Sequence, residues 1–290
     1  MLRQLFAAAL VLAVSAGAAS AQPTSITIPA DPVPIVNAEI NGRPVRLEVD
    51  LRFPSGIALS NAAAERLRVR RVPLLAIGVG IEGSGSTLRG RIARPRVVFG
   101  DEDARAWTGV FPAPVTNRAD GVIGPGALPY DIITIDLGPE LESMRDIEFT
   151  LADAGAWVGE TQVGGQTLRV GFDLAHSDTV FNRTAARAFD ASGAIVSNGE
   201  LAERYLILGL RTLMQPVTTE LNVAGLLLAP TFARTNSPLL GADEEDAVVV
   251  QGNAEDASPA GVMLGRAALA RCSSISVNRE TRRMILRCAN

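Results

Sequence analysis

Two segments, one in each half of the chain, repeat each other. Residues 42–51 read Gly-Arg-Pro-Val-Arg-Leu-Glu-Val-Asp-Leu, and residues 165–174 read Gly-Gln-Thr-Leu-Arg-Val-Gly-Phe-Asp-Leu. Each copy places an aspartate at the end of an apolar stretch that is typical of a β-strand. The repeat constrains the chain to a duplicated fold in which each half supplies one carboxylate, Asp50 and Asp173.

A helix-like stretch follows each aspartate. Residues 59–67 and residues 181–189 are rich in alanine, and Ser60 and Asn182 precede the alanines as candidate N-caps. The two stretches follow their aspartates at nearly equal distances, so the repeat extends beyond the strands. Both halves are therefore predicted to contain a short helix.

A third repeat joins a glycine to a strand. An apolar pair precedes Gly124 in residues 122–136 and Gly265 in residues 263–277, and each glycine leads through a short turn into a strand-like run. Further apolar segments bounded by glycine and proline lie between the repeats. The sequence thus predicts a mostly β fold with short helices, built from an internal duplication.

The N-terminus has the features of an export signal. Residues 1–21 contain a positive charge at Arg3, a short apolar run and a small-residue cleavage site that ends at Ala21. We therefore expect a periplasmic or secreted protein with an N-terminal lobe over 22–152 and a C-terminal lobe over 153–290. No later run reaches the roughly 18 apolar residues of a membrane span.

The charge balance argues against nucleic acid as a partner. The chain has 27 basic residues, all of them arginine, against 31 acidic residues, and its formal net charge is −4. Binding to the phosphate backbone requires a concentration of positive charge that this composition does not provide. We therefore expect no nucleic-acid partner.

The chain has two cysteines, Cys272 and Cys288, which flank a hairpin-like segment, residues 273–287. Cross-strand pairing is natural at these positions, and in an oxidising compartment it gives a disulfide. The alternative is a redox or metal-binding pair, but the chain lacks a Cys-x-x-Cys motif and has a single histidine. We expect a disulfide and no metal or organic cofactor.

Taken together, these motifs resemble the retropepsin-like and pepsin-like aspartic peptidases. The resemblance rests on Asn-Gly-x-Pro-Val-x-apolar-x-Val-Asp at 41–50, on the alanine-rich helix at 59–67, and on Asp-Gly-Val-Ile-Gly at 120–124 leading into Ile-Thr-Ile-Asp at 133–136. The second half resembles the family again, so the likeness covers most of residues 35–290.

The resemblance implies a two-lobed fold in which Asp50 and Asp173 face each other across a cleft. Two adjacent carboxylates share a proton, so that one acts as base on a water molecule and the other as acid toward the scissile carbonyl. The resemblance therefore implies hydrolysis of peptide bonds in a peptide or an unfolded protein segment held in the cleft, without a metal or organic cofactor.

The resemblance also indicates residues that contact substrate. Gly83, Ser84 and Gly85 would lie in a flexible hairpin over the cleft, and Ser177 would hydrogen-bond the second carboxylate. Residues 78–83 also match a dinucleotide-binding fingerprint by letters, but strand-like sequence follows them instead of a helix.

Both copies depart from the family pattern at the two positions after the aspartate. Leu51-Arg52 and Leu174-Ala175 stand where the family has Thr or Ser followed by Gly. Leucine cannot supply the hydroxyl that braces the two loops, and Arg52 could hold Asp50 ionised. Two functions follow: an active aspartic endopeptidase, or an inactive relative that binds a peptide or protein partner in the cleft.

Two further interpretations concern the same region. His176 lies three residues after Asp173, and a histidine in such a turn usually faces solvent; no serine and aspartate in triad-like context accompany it. The duplicated lobes could also serve only as a stable envelope or an assembly scaffold.

Overall fold

The computed structural model describes residues 24–80, 87–152, 157–205, 207–234 and 259–290. The predicted signal at 1–21 and the predicted flap residues Gly83, Ser84 and Gly85 lie outside these ranges.

The first twelve strands are β1 (Ser25–Pro29), β2 (Ile35–Ile40), β3 (Arg43–Val49), β4 (Ile57–Ser60), β5 (Arg71–Gly80), β6 (Thr87–Ala93), β7 (Arg96–Phe99), β8 (Glu102–Arg105), β9 (Thr108–Phe111), β10 (Gly121–Ile123), β11 (Ile132–Asp136) and β12 (Met144–Leu151). The others are β13 (Gly159–Val163), β14 (Gln166–Asp173), β15 (Thr179–Phe181), β16 (Ile195–Ser197), β17 (Ala202–Tyr205), β18 (Arg211–Thr219), β19 (Asn222–Val223), β20 (Leu226–Leu227), β21 (Thr231–Arg234), β22 (Gly261–Gly265), β23 (Cys272–Asn278) and β24 (Arg283–Ala289).

The protein is mostly β, as the sequence predicts. The helices of the described residues are short: α1 (Asn61–Arg66) and α2 (Arg183–Ala191), with a single 3-10 turn at Pro125–Ala127. The predicted N-caps are confirmed, because Ser60 Oγ accepts from the Ala63 amide and Asn182 Oδ1 accepts from the Ala185 amide. Neither helix has the length or apolar character needed to cross a membrane.

Nine strands of the first half form one sheet, in the order β5-β6-β9-β4-β10-β3-β2-β7-β8. Within it β3 pairs antiparallel with β2 and parallel with β10, β10 pairs antiparallel with β4, and β4 pairs parallel with β9. β6 then pairs antiparallel with β9 and with β5.

The second half follows the same path within a thirteen-stranded sheet. There β14 pairs antiparallel with β13 and parallel with β22, β22 pairs antiparallel with β15, and β15 pairs parallel with β21. β18 then pairs antiparallel with β21 and with β17. Strand for strand, β3 corresponds to β14, β10 to β22, β4 to β15, β9 to β21, and the β5–β6 hairpin to β17–β18.

The thirteen-stranded sheet also contains strands from the first half of the chain. β1 pairs parallel with β11, β11 pairs antiparallel with β23, and β12 lies between β24 and β13. Both of the predicted lobes, 22–152 and 153–290, therefore contribute strands to this sheet. Backbone hydrogen bonds as well as side-chain contacts thus join the two halves.

The predicted disulfide is confirmed. Cys272 and Cys288 are bonded to each other and are paired residues of the antiparallel strands β23 and β24. The bond closes the last hairpin near its open end. Both cysteines are buried, so the covalent link lies within the core of the sheet.

Burial alternates in the first part of each of the two equivalent strands and becomes continuous toward the end that carries the aspartate. In β3 Val45 and Leu47 are buried, and in β14 Leu168 and Val170 are buried, with exposed arginines between them. This period of two fixes the register of each strand, because a shift by one residue would turn its apolar side chains toward solvent. Fixed registers place the ends of β3 and β14, and the aspartates there, reproducibly.

Candidate functional site

Equivalent strand ends carry the two predicted aspartates. Asp50 directly follows β3, and Asp173 is the last residue of β14. The neighbouring parallel strand in each half reaches the same level, with Val49 opposite Ile123 and Asp173 opposite Gly265. The repeated topology therefore brings each aspartate beside the glycine motif of its own half.

The two glycines allow close contact with the loops that follow the aspartates. A Cβ atom on Gly124 would overlap the carbonyl oxygen of Phe53, and one on Gly265 would overlap the carbonyl oxygens of Ser177 and Asp178. A residue with a side chain would push both loops outward. The glycines thus fix the position of the loop that carries Arg52 and of the loop that carries His176.

Arg52 joins the two aspartates. Its Nε donates to Asp50 Oδ1 at 2.8 Å and its Nη2 to Asp50 Oδ2 at 2.7 Å. Its Nη1 donates to Asp173 Oδ2 at 2.7 Å. A planar guanidinium suits this arrangement. Its Nε–Nη2 edge binds one carboxylate through two parallel hydrogen bonds, and Nη1 donates to the second carboxylate.

Asp173 accepts four hydrogen bonds. Its Oδ1 accepts from the backbone amides of Ala175 at 2.9 Å and His176 at 3.0 Å. Its Oδ2 accepts from Arg52 and lies 2.9 Å from His176 Nδ1. The loop after β14 therefore wraps around its own carboxylate, and Arg52 approaches from the other half.

The cluster is buried. The side chains of Asp50 and Asp173 are each 7% exposed and that of Arg52 is 10% exposed. Burial alone would lower the pKa of Arg52, but the charge and hydrogen bonds of Asp50 and the charge of Asp173 raise this pKa above its ordinary value. Burial alone would raise the pKa of Asp173, but the His176 hydrogen bond and the Arg52 charge hold this pKa below its ordinary value.

His176 belongs to the same cluster, whereas the sequence favours a solvent-facing role. A carboxylate held ionised by a guanidinium can only accept, so His176 Nδ1 must carry the proton that it shares with Asp173 Oδ2. The 3.2 Å separation of this nitrogen from Arg52 Nη1 is then a contact between two donors. The histidine side chain is 33% exposed, so the cluster reaches solvent through its ring.

Leucine side chains take the positions where the resemblance implies hydroxyls. Leu51 and Leu174 are each 4% exposed and belong to the main hydrophobic core. A buried leucine contributes packing but no hydrogen bond between the two loops. In their place, the Arg52 guanidinium connects the loops.

Ser177 lies outside the carboxylate cluster. Its hydroxyl donates to Asp178 Oδ1 at 3.1 Å and not to the Asp173 carboxylate, whose two oxygens accept from Ala175, His176 and Arg52. Ser177 instead lines an open cavity of about 390 Å³, together with Leu174 and Arg266.

A second apolar cluster, which we call the apolar niche, adjoins the loop after Asp50 through Phe53, whose backbone amide donates to the Asp50 carbonyl oxygen. Its buried members are Ala58, Phe111, Val115, Val122 and Leu208, and packed against them are Phe53, Ile77, Val79, Leu88 and Ile207. Leu208 and Ile207 come from the second half of the chain, and the others come from the first. The niche is therefore closed by residues from both halves.

No protein-family model matches the chain, and no curated protein matches it. The resemblance to aspartic peptidases therefore rests on the motifs and on the paired aspartates. Within the described ranges, no group of three or more His, Cys, Asp or Glu side chains is placed to hold a metal ion.

Proposed function

We propose that this protein is a catalytically silent relative of the aspartic peptidases that binds a peptide or protein partner in the cleft between two lobes. In this proposal Asp50 and Asp173 are no longer a catalytic pair. They are the two acceptors of a buried ion-pair cluster centred on Arg52. The observation that carries the proposal is the Arg52 guanidinium, which contacts both carboxylates at 2.7 Å.

Peptide hydrolysis by an aspartate pair needs a proton to be shared between the carboxylates and a water molecule within reach of both. Arg52 opposes the first requirement, because the His176 hydrogen bond and the charge of Arg52 hold the pKa of Asp173 below its ordinary value. It opposes the second because its three donor nitrogens already use both oxygens of Asp50 and one of Asp173. The remaining Asp173 oxygen accepts from two backbone amides.

The two-lobed fold in this proposal is supported by the repeated strand path. The same sequence of parallel and antiparallel pairings occurs in both halves, with an aspartate at the end of each equivalent strand. The glycine motifs at Gly124 and Gly265 pack against the loops after these aspartates. Export is supported by the disulfide, because such bonds persist mainly in oxidising compartments.

Partner binding is supported by the apolar niche, which lies against the loop after Asp50. Its first-half wall consists of apolar side chains from the β5–β6 hairpin and from the segments around Phe111 and Val115. Ligand sites are usually lined by apolar side chains with a few fixed polar groups. In this proposal an extended peptide packs an apolar side chain against the partly buried members of the niche, such as Ile77 and Val79.

The test is a proteolysis assay with a matched variant. The purified protein is incubated with a reduced and alkylated unfolded protein from about pH 3 to about pH 7, beside the Asp50→Asn, Asp173→Asn double variant, since the protonation of carboxylates changes over this interval. We expect no cleavage above background with either protein. Cleavage by the wild type that is absent from the folded double variant would overturn the proposal and favour the active peptidase.

A further inference from the structure

The edge strand β5 carries an exposed apolar bulge. β5 is the outermost strand of the nine-stranded sheet and pairs with β6 alone. Residues 72–75 of β5 lie opposite a single residue of β6, because the partners of Arg71 and Ala76 in β6 are only two positions apart. Within this bulge Leu74 is 94% exposed and Leu75 is 44% exposed. Apolar side chains on a free sheet edge favour aggregation, and an exposed apolar patch in a natural protein usually marks an interaction site.

The bulge is an addition to the duplicated fold. The equivalent hairpin of the second half, β17–β18, pairs without a register shift over Ala202–Tyr205 and 211–214. Leu74 has a φ of 63°, in the left-handed region that residues with a side chain adopt rarely. Such conformations are concentrated at functional surfaces. The repeated strand path therefore does not account for the bulge.

Arginines flank the bulge on one face of the hairpin. Arg89 and Arg91 of β6 are exposed and lie two residues apart, so both are on the same face of the sheet. Arg71 is on this face as well, because its cross-strand partner Ala93 lies two residues after Arg91. The alternate residues of the hairpin point to the other face, where they contribute to the apolar niche.

The positive charge on this face is not balanced locally. Among the described residues neither Arg89 nor Arg91 forms an ion pair, and Arg71 donates to the uncharged Oδ1 of Asn61. The protein as a whole has a formal net charge of −4. Because charges interact over only about 8 Å at physiological ionic strength, the local excess decides what this face attracts at contact. The face therefore suits an anionic surface.

An exposed tryptophan lies at the base of the same hairpin. Trp107 is 55% exposed, and Arg94 Cζ lies 5.1 Å from the centroid of its ring. Trp107 precedes Thr108, which pairs with Ala93, the partner of Arg71. Tryptophan is enriched at the boundary between lipid headgroups and hydrocarbon, where one part of its ring is in apolar and the other in polar surroundings. Leucine, tryptophan and arginine side chains are thus exposed together at one end of the hairpin.

We propose that the β5–β6 hairpin docks the protein on an anionic phospholipid bilayer. Leu74 and Leu75 insert among the headgroups, and Arg71, Arg89 and Arg91 donate to lipid phosphates. A protruding leucine requires a matching pocket on a protein partner, whereas the hydrocarbon of a bilayer accepts it at any position, so the bulge favours a bilayer. This inference does not depend on the proposed function, since its arginines lie on the hairpin face opposite the apolar niche.

The experiment is co-sedimentation of the purified protein with vesicles of equal parts phosphatidylglycerol and phosphatidylcholine, beside vesicles of phosphatidylcholine alone. The Arg89→Gln, Arg91→Gln double variant removes two positive charges from the hairpin. Leu74→Asn removes a protruding apolar side chain and keeps the fold, because asparagine adopts the left-handed backbone conformation more readily than leucine.

Matched controls carry the same changes elsewhere on the surface. The Arg169→Gln, Arg283→Gln double variant removes two exposed arginines of the thirteen-stranded sheet. Leu227→Asn replaces a leucine that is 75% exposed, in β20. Both controls should bind vesicles like the wild type.

We expect the wild type to sediment with the anionic vesicles but not with phosphatidylcholine alone, and its affinity to fall as the salt concentration rises. Each arginine removed from the hairpin should weaken binding about 5-fold. Leu74→Asn should weaken binding about 10-fold.

Two results would overturn the proposal. One is a wild type that stays in the supernatant with anionic vesicles, and the other is hairpin variants that bind as tightly as their controls. If sedimentation velocity showed a dimer that Leu74→Asn dissociates, without vesicle binding, the bulge would belong to an interface between two copies of the chain.

Discussion

Arg52 Nη1 lies 2.7 Å from Asp173 Oδ2, although 121 residues separate the two in the chain. The same guanidinium binds Asp50, two residues before it, through two further hydrogen bonds. One positive charge therefore bridges a carboxylate from each half. Without the guanidinium the two like-charged carboxylates would repel each other. With it between them, the contact between the halves is attractive.

Replacement of Arg52 by glutamine should destabilise the protein strongly. The variant leaves two buried carboxylates without their counter-ion, and the loss of one partner from a buried ion pair typically costs about 3–5 kcal/mol. Urea unfolding at neutral pH, followed by circular dichroism, measures the change in the free energy of unfolding.

The control for this measurement is Arg96→Gln. Arg96 pairs with Asp103 on the surface, where the two side chains are 65% and 48% exposed, and such a pair contributes about 1 kcal/mol or less. If Arg52→Gln and Arg96→Gln lowered the free energy of unfolding equally, the buried ion pairs of Arg52 would not have the stabilising role assigned to them. Arg52→Lys should not restore stability, because lysine has no planar fork to bind both carboxylates.

The stability of the protein should decrease in acid through Asp173. Its native pKa lies below its ordinary value, so between the two values the unfolded chain binds more protons than the folded one. The stabilisation is complete above about pH 5 and is lost as the pH falls below about 3.9 toward the lowered native pKa.

Urea titrations at several pH values test this dependence. The Asp173→Asn variant should be less stable than the wild type at neutral pH, and its free energy of unfolding should fall less steeply in acid. Asp103→Asn replaces an exposed carboxylate. This variant should show nearly the same decrease in the free energy of unfolding in acid as the wild type. If the free energy of unfolding fell equally steeply in acid for the wild type and for Asp173→Asn, Asp173 would be excluded as the cause of the acid dependence.

Alanine at either motif glycine should destabilise the fold. In Gly124→Ala and Gly265→Ala the new Cβ overlaps backbone carbonyl oxygens of the loops after Asp50 and Asp173. Overpacking against backbone typically costs about 1–3 kcal/mol, because the loops must move. Gly78→Ala is the control, since its Cβ would meet only Thr87 Cγ2 at 3.6 Å, and a similar loss there would refute the steric argument.

Loss of the disulfide should lower the free energy of unfolding by about 3 kcal/mol in the chain-entropy model, since the cross-linked cysteines are separated by 16 residues. The Cys272→Ala, Cys288→Ala variant and the reduced wild type should unfold at similar urea concentrations. A reducing agent should leave the stability of the double variant unchanged. If the variant were as stable as the oxidised wild type, the bond would not contribute to stability.

The sequence predicted the elements that repeat, because repetition is visible in residue order alone. The strands before Asp50 and Asp173 and the N-caps at Ser60 and Asn182 follow local rules of periodicity and capping. The disulfide followed from the position of two cysteines at the ends of one hairpin. Each of these features depends on residues close together in the chain or on a comparison of two such segments.

The arrangement of the site could be predicted only in part. The sequence suggested that Arg52 could hold Asp50 ionised, but its bond to Asp173 depends on how the two halves meet. For His176 the sequence favours a solvent-facing turn, although an Asp-x-x-His spacing within a tight turn is a local signal for a hydrogen bond between the two side chains. The position of Leu208 depends on a long-range contact that no local pattern encodes.

The thirteen-stranded sheet has a consequence for any attempt to divide the protein. A fragment that ended at residue 152 would retain β11 and β12 but lose β23, β24 and β13, against which they pair. The fragment would expose bare strand edges of the kind that recruit other chains and lead to aggregation. The two halves therefore share one pattern of strand pairing but cannot be separated. Expression of either half alone should yield insoluble protein.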